Sequence, residues 1–176
     1  MNWEKVIAAV PQARVPELAA SAGRSTVHAP HPSEPVDSPH VVCLWFERAP
    51  DAVPGEAYLV DEHVQWELEA EPPVTRFSFL HRHPDLTRRQ FAHHWSEVHT
   101  PLARRHHPCL VRYVQNIVVA RLSPDAPDID GVAELCVRHP DDFVERMYDS
   151  PEGREIVGTD VRSFIDLRAG WRVVTN

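Results

Sequence analysis

The chain has 176 residues, of which 43% are hydrophobic and 25% are charged, as in an average globular protein, so disorder throughout and a membrane protein are both excluded. Eighteen Lys and Arg against 26 Asp and Glu give a net charge of −8, which argues against a nucleic-acid partner. The three cysteines form no CxxC pair, so we expect neither a disulfide framework nor a thiolate zinc site, and the default compartment is a reducing cytoplasm.

The first third of the chain predicts little regular structure. Residues 2–20 predict a short helix that Pro11 interrupts, and their charges and prolines do not fit a signal peptide. Residues 22–39 are rich in Ser, Pro and His, which predicts a loop or linker. We find no run of about 18 apolar residues, so we expect no membrane association.

Two apolar runs come next and end at a proline-rich boundary. Val41–Phe46 and Tyr58–Leu68 predict two strands joined as a hairpin. Regular secondary structure is then predicted to end at Glu71, Pro72 and Pro73. We therefore expect two parts, a loop-rich N-terminal part over residues 1–73 and a regular domain over residues 74–176.

The second part begins with a strand and a capped helix. The strand over residues 74–83 alternates between two faces, one with Thr75, Phe77, Phe79 and His81 and the other with Arg76, Ser78, Leu80 and Arg82. Thr87 and Gln90 have the spacing of a capping box, which predicts the start of a helix. The predicted apolar stripe of this helix consists of Phe91, Trp95, Val98 and Leu102. Pro101 removes a helical hydrogen bond and predicts a kink or break beside His99.

The rest of the chain completes a recurring pattern. Strands are predicted at 109–120, 132–137 and 169–175, and helices begin near Pro140 and Ser150. The order is β-α-β-β-α-β, the ferredoxin-like plan of an α+β fold, with a four-stranded antiparallel sheet and both helices on one face. The other sheet face needs a cover, so we expect a homodimer with a large apolar interface.

Several motifs of residues 74–175 resemble the EthD family of dimeric α/β-barrel proteins. The matching residues are Leu86 to Phe91, His94-Trp95, His99-Thr100-Pro101-Leu102-Ala103, Arg112-Tyr113-Val114-Gln115-Asn116, Asp130-Gly131 to Glu134, Tyr148, Ser150-Pro151-Glu152-Gly153, Asp160 and Phe164. The resemblance implies a barrel with a small-molecule cavity between sheet and helices, and associates the chain with ether degradation or polyketide pathways. Residues 1–73 resemble a degenerate copy of the same unit, clearest at Tyr58 to Trp66, which contains Asp61 and Glu62.

Three residues are candidates for catalysis. His99 lies at the predicted helix break, and an imidazole can take and give a proton near neutral pH. Tyr113 could polarise a carbonyl or phenol, and Asp160 could orient an imidazole or arginine. The structural alternatives are a helix-end cap for His99, a core tyrosine and a surface carboxylate. The candidate ligand-binding residues are Arg76, Phe79, Trp95, Asn116 and Phe164.

The motifs for metals and nucleotide cofactors are missing from the sequence. The twelve histidines do not form the zinc-binding motif HExxH. His93 and Glu97 lie one helical turn apart, a spacing more typical of a solvated helix face than of a metal site. We expect no metal and no cofactor. The favoured function is a cofactor-independent enzyme that cyclises, dehydrates or oxygenates a carbonyl or phenolic compound. The alternative is a non-catalytic protein that binds an aromatic ligand for an oxidative pathway.

Overall fold

Residues 3–68 and 72–176, which the computed structural model describes, form an α+β fold with an eight-stranded antiparallel sheet. The strands are β1 Glu4–Val10, β2 Arg24–His28, β3 His40–Phe46, β4 Glu56–Glu67, β5 Val74–Leu80, β6 Arg112–Arg121, β7 Gly131–Val137 and β8 Trp171–Thr175. The helices are α1 Val15–Ser21, α2 Arg88–His93, α3 Thr100–His106, α4 Asp142–Glu145 and α5 Pro151–Phe164, with a 3₁₀ turn at Gln12–Arg14 and a π-helical turn at His94–His99.

The predicted helix over residues 2–20 is wrong in its first half. Residues 4–10 form β1, and every residue of this strand after Glu4 is buried. A short apolar run that is covered on both faces lacks the alternation of a half-exposed strand, so its sequence cannot be told from a buried helix. Helix begins only at Val15, with Pro16 in the first turn, where its missing N–H costs nothing.

The predicted hairpin has the right strands and the wrong pairing. β3 and β4 are both present, but β1 lies between them, and Ala8 is opposite both Val42 and Ala57. Strand β2 falls within the predicted loop over residues 22–39 and pairs with the outer side of β3. A central strand supplied by an earlier segment cannot be inferred from the two strands that flank it.

The second part of the chain has the predicted β-α-β-β-α-β order. Thr87 and Gln90 form the capping box at the start of α2, and the Ser150 hydroxyl accepts a hydrogen bond from Gly153 N at the start of α5. The strands lie in the order β6-β7-β5-β8, as in a ferredoxin-like sheet. The first part has the corresponding order, β2-β3-β1-β4, and one α-helix among its described residues. The predicted four-stranded sheet is therefore one half of an eight-stranded sheet.

The chain brings the two outer strands of this sheet together and nearly closes a barrel. Strands β4 and β6 join the two halves along one edge. At the other edge, the segment after β2 meets β8, where His31 N donates to Val174 O at 2.8 Å and Asn176 N donates to Ala29 O at 3.0 Å. The sheet face that was expected to need a second subunit is thus covered by the N-terminal third of the same chain.

Apolar side chains fill the barrel interior and also cover the outer face of the sheet in both halves. The interior cluster draws on both halves and includes Ile7, Val41, Tyr58, Phe77, Phe79, Val118, Val132 and Val173. Outside the first half, α1 packs over a filled cluster of small and medium side chains that includes Val6, Leu18, Val42 and Leu44. Outside the second half lie Phe91, Trp95, Tyr113, Leu135 and Phe164. In the part of the chain that the structure describes, no helix is long and apolar enough to cross a bilayer.

Candidate active site

A cavity of about 610 Å³ lies between the outer face of the second-half sheet and its helices. We call it the C-terminal cavity. Its apolar walls include Leu80, Trp95, Leu135, Met147, Val157 and Val161, and its polar lining includes Arg76, Ser78, His99, His107 and Tyr113. The corresponding space in the first half is filled under α1. A wider depression of about 930 Å³ near Pro11 and Pro54 holds no histidine or tyrosine among its described lining residues.

The π-helical turn sets the direction of His99. Thr100 N and Thr100 Oγ1 both donate to Trp95 O, the latter at 3.1 Å, and Gln115 Nε2 donates to the same carbonyl at 3.0 Å. The distortion lies where Pro101 predicted it. The wider turn carries more residues than an α-turn, so His99 is buried and Val98 is 43% exposed. The predicted stripe is therefore wrong at Val98, whose place is taken by His99.

His99 and Asp160 form a hydrogen-bonded pair beside the cavity. His99 Nδ1 lies 2.8 Å from Asp160 Oδ2, and His94 Nε2 lies 2.7 Å from Asp160 Oδ1. Burial acts to raise the pKa of Asp160, but the hydrogen bonds from His99 and His94 outweigh it and lower the pKa below its ordinary value. An ionised Asp160 accepts a hydrogen bond from the Nδ1–H of His99. This tautomer leaves a lone pair on His99 Nε2.

Phe164 packs against the rings of His94 and His99. Its ring is stacked on His94 at 4.8 Å between centroids and packs against His99 at 5.2 Å. Phe164 is fully buried in the outer cluster. It therefore fixes the rings and does not line the cavity.

Tyr113 lines the same cavity. The hydroxyl oxygen accepts a hydrogen bond from Trp95 Nε1 at 2.7 Å and a long one from Gln115 Nε2 at 3.4 Å. Burial raises the pKa of Tyr113 to about 12, so the hydroxyl keeps its proton at neutral pH. Since the hydroxyl is the acceptor in both of its described hydrogen bonds, its own proton is available to a ligand.

A second histidine lines the cavity in a neutral form. The Nδ1 atom of His107 lies 2.7 Å from Met147 O and donates to it. Burial lowers the pKa of His107 to about 4, despite the hydrogen bond to the carbonyl. His107 is thus uncharged at neutral pH, with Nε2 free to accept a hydrogen bond.

The remaining predicted ligand-binding residues divide between the cavity and the barrel interior. Arg76 and Trp95 line the cavity. Phe79 borders it, but its ring belongs to the interior cluster, stacked on Trp171 at 4.0 Å between centroids. Asn116 is fully buried and donates to Glu134 Oε1 at 2.9 Å, on the opposite sheet face from Tyr113. Strand alternation separates Asn116 from the cavity.

Three residues of the site were not among the sequence candidates. His94 shares the carboxylate of Asp160, Gln115 bonds the π-helical turn, and His107 contributes an uncharged imidazole. Gln115 could have been found, because it lies two residues from Tyr113 on one strand face. His107 follows the end of α3, where no periodicity predicts the direction of a side chain.

Among the residues that the structure describes, no three His, Cys, Asp or Glu side chains are arranged to hold a metal ion. The Asp160 carboxylate is already bonded by two imidazoles, one on each oxygen.

Comparison with known proteins agrees with this architecture. A search of curated proteins finds no significant match. A crystal structure of a protein from Lactobacillus acidophilus NCFM, described as a "putative monooxygenase", matches the fold with a TM-score of 0.54 at 9% identity, over 99% of this chain and 92% of that one. The model of the EthD domain matches residues 83–168, the stretch that carries His99, Tyr113 and Asp160. Residues 83–168 of this chain are therefore similar to the EthD domain.

Proposed function

We propose that the protein is an enzyme that moves a proton on an aromatic carbonyl or phenolic compound bound in the C-terminal cavity. The observation that carries this proposal is the His99–Asp160 pair beside an apolar cavity that Tyr113 also lines. An imidazole held in one tautomer by a carboxylate is a general base with a defined lone pair.

In the proposed reaction, His99 Nε2 takes a proton from a carbon next to a carbonyl, or from a phenol. Asp160 stabilises the imidazolium that forms, since its carboxylate already accepts from Nδ1 at 2.8 Å. The Tyr113 hydroxyl donates to the carbonyl oxygen as it gains negative charge. His99 therefore acts as the base, Tyr113 as the electrophilic group, and Asp160 as a positioning residue.

The resulting enolate or phenolate can follow several routes. It can attack a second carbonyl to close a ring, expel a hydroxide to complete a dehydration, or react with molecular oxygen. The last route is in keeping with the name of the Lactobacillus acidophilus protein, which shares the fold. All three routes begin with the same proton transfer, so that transfer is the step to test.

The experiment follows deuterium exchange on 2-tetralone, a bicyclic aromatic ketone with acidic hydrogens, by proton NMR in D₂O. We expect the wild type to accelerate exchange above the buffer rate. His99→Gln keeps a polar group near Asp160 but removes the base, so it should lower the protein-dependent rate by about 100-fold. His93→Gln is the matched control on an exposed position of the same helical segment and should exchange as the wild type does.

Binding of the same ketone separates the two functions under consideration. Trp95 lines the cavity, so occupancy should change the tryptophan fluorescence. Binding together with His99-dependent exchange supports an enzyme. Saturable binding with no exchange on any tested ketone or phenol would favour the alternative, a binding protein that serves an oxidative pathway.

A further inference from the structure

The charge inside the C-terminal cavity is opposite to that of the whole protein. The chain carries a net charge of −8. Yet the described lining of this cavity contains Arg76, Arg162 and Arg172 and no Asp or Glu. Because nearby carboxylates do not neutralise them, these arginines give the cavity a positive potential.

Arg76 is the deepest of the three arginines. It lies on β5 with its Nε buried and without a hydrogen-bond partner, whereas Arg162 and Arg172 are exposed at the rim. The guanidinium carbon lies 4.5 Å from the ring of Phe143, which holds the group against the wall. The described residues offer Arg76 neither a hydrogen bond nor a carboxylate.

The fully buried charges that the structure describes in this protein are paired. In the barrel interior, Lys5 lies 2.6 Å from Glu134 Oε1, and Arg112 contacts the other oxygen of Glu134 at 2.9 Å. Asp130, also buried, is paired with Arg82 at 2.7 Å. Arg76 differs from these charges, because it is half-buried and its buried Nε has no hydrogen-bond partner. A partly desolvated charge without a partner is unfavourable, so Arg76 calls for a counter-ion from outside the chain.

The neighbours of Arg76 increase this need. Arg172 on β8 is opposite Ser78 on β5, and Ser78 is two residues from Arg76 on the same sheet face. Burial, and next the charge of Arg172, lower the pKa of Arg76 to about 10, so the group is still protonated at neutral pH. A planar guanidinium binds a carboxylate with two parallel hydrogen bonds.

We propose that Arg76 binds a carboxylate of the ligand, so that the C-terminal cavity binds an aromatic acid more tightly than its neutral counterpart. This inference rests on the proposed function only in placing the ligand in this cavity. The apolar walls contact the ring system, and Arg76 provides the single deep anion contact. His107, which is uncharged, can accept a hydrogen bond from a hydroxyl of the ligand.

The test compares an acid with its neutral amide. The probes are 1-hydroxy-2-naphthoate and 1-hydroxy-2-naphthamide, whose binding is followed by fluorescence at low ionic strength. We expect the wild type to bind the acid at least about 10-fold more tightly than the amide, as hydrogen bonds to a charged group allow. Arg76→Met should bring the ratio to about one while leaving the affinity for the amide within about twofold. Arg14→Gln, which removes an exposed charge in the N-terminal half, should keep the wild-type ratio.

Two results would overturn the proposal. One is a wild type that binds acid and amide equally, and the other is an Arg76→Met variant that keeps the preference for the acid. A structural role for Arg76 predicts a lower melting temperature for R76M, whereas an unpaired charge predicts an equal or higher one. Should R76M fail to fold, R76Q provides the same comparison, and loss of folding in both would also overturn the proposal. The acid preference is also measured in His99→Gln. If the proposed proton transfer fails, acid binding by Arg76 is therefore still tested separately.

Discussion

His99 and Asp160 are 61 residues apart in the chain, and their side chains meet with Nδ1 2.8 Å from Oδ2. One is on the π-helical turn and the other on α5. Asp160→Asn keeps the shape of the side chain but removes the charge that stabilises an imidazolium. We expect the 2-tetralone exchange rate to fall by about 10- to 100-fold with little change in binding. Equal losses of binding and rate would instead indicate that Asp160 only shapes the cavity.

Tyr113→Phe tests the hydroxyl in the cavity. The change leaves Trp95 Nε1 buried without its acceptor, which should cost about 1–3 kcal/mol in the free energy of unfolding. It should also slow exchange, because the developing oxyanion loses its donor. Urea denaturation measures the first effect and NMR the second. A variant of wild-type stability and rate would contradict both roles.

The ion pairs in the barrel interior should make the stability depend on pH. Burial acts to raise the pKa of Glu134, but Lys5 and Arg112 outweigh it and lower the pKa to about 2. A carboxyl with a depressed folded-state pKa stabilises the fold above its unfolded pKa, near 4.5, and this contribution is lost as the pH falls towards 2. Denaturant midpoints from pH 7 to pH 2 should decline in that window.

Lys5→Met tests the same ion pairs by removing one partner. It leaves Glu134 with Arg112 and Asn116 only, so we expect a loss of about 3 kcal/mol at pH 7. The acid-induced decline should also begin at a higher pH, because the pKa of Glu134 rises without the ammonium group. An unchanged pH profile would show that Lys5 does not determine the ionisation of Glu134.

Two glycines of α5 should respond oppositely to a side chain. At Gly158, which lines the C-terminal cavity, an added Cβ would meet only Arg162 Nη1, at 3.4 Å. Gly158→Leu should therefore fill the cavity, weaken 2-tetralone binding by about 10-fold or more and leave the melting temperature equal or higher. At Gly153 a Cβ would lie 2.7 Å from His106 Nδ1, so Gly153→Ala should lower the melting temperature. Unimpaired binding in G158L would place the ligand elsewhere.

The state of association follows from the closure of the sheet within one chain. Since residues 29–31 and β8 nearly close the barrel within one chain, a second copy is not needed to cover the sheet. We expect a monomer of 20.0 kDa in sedimentation velocity at micromolar concentration. A stable dimer would contradict this prediction and agree with the homodimer expected from the sequence, with an interface outside the barrel interior.

Features set by neighbouring residues were predictable from the sequence. The capping box of Thr87 and Gln90 and the break caused by Pro101 depend on groups within one or two helical turns. The β-α-β-β-α-β order follows from periodicity, and the EthD resemblance from local motifs. These features depend on contacts between residues that are close in the chain, so distant segments do not change them.

Features that join distant segments were decided only by the tertiary structure. Strand β1 lies between β3 and β4, and the segment after β2 meets β8, because burial of the apolar face selects among pairings that the sequence leaves equivalent. The same is true of the site. The sequence by itself marked His99, Asp160 and Arg76, but only the fold gave His99 a carboxylate and left Arg76 without one, since a charge is paired or unpaired through contacts in space.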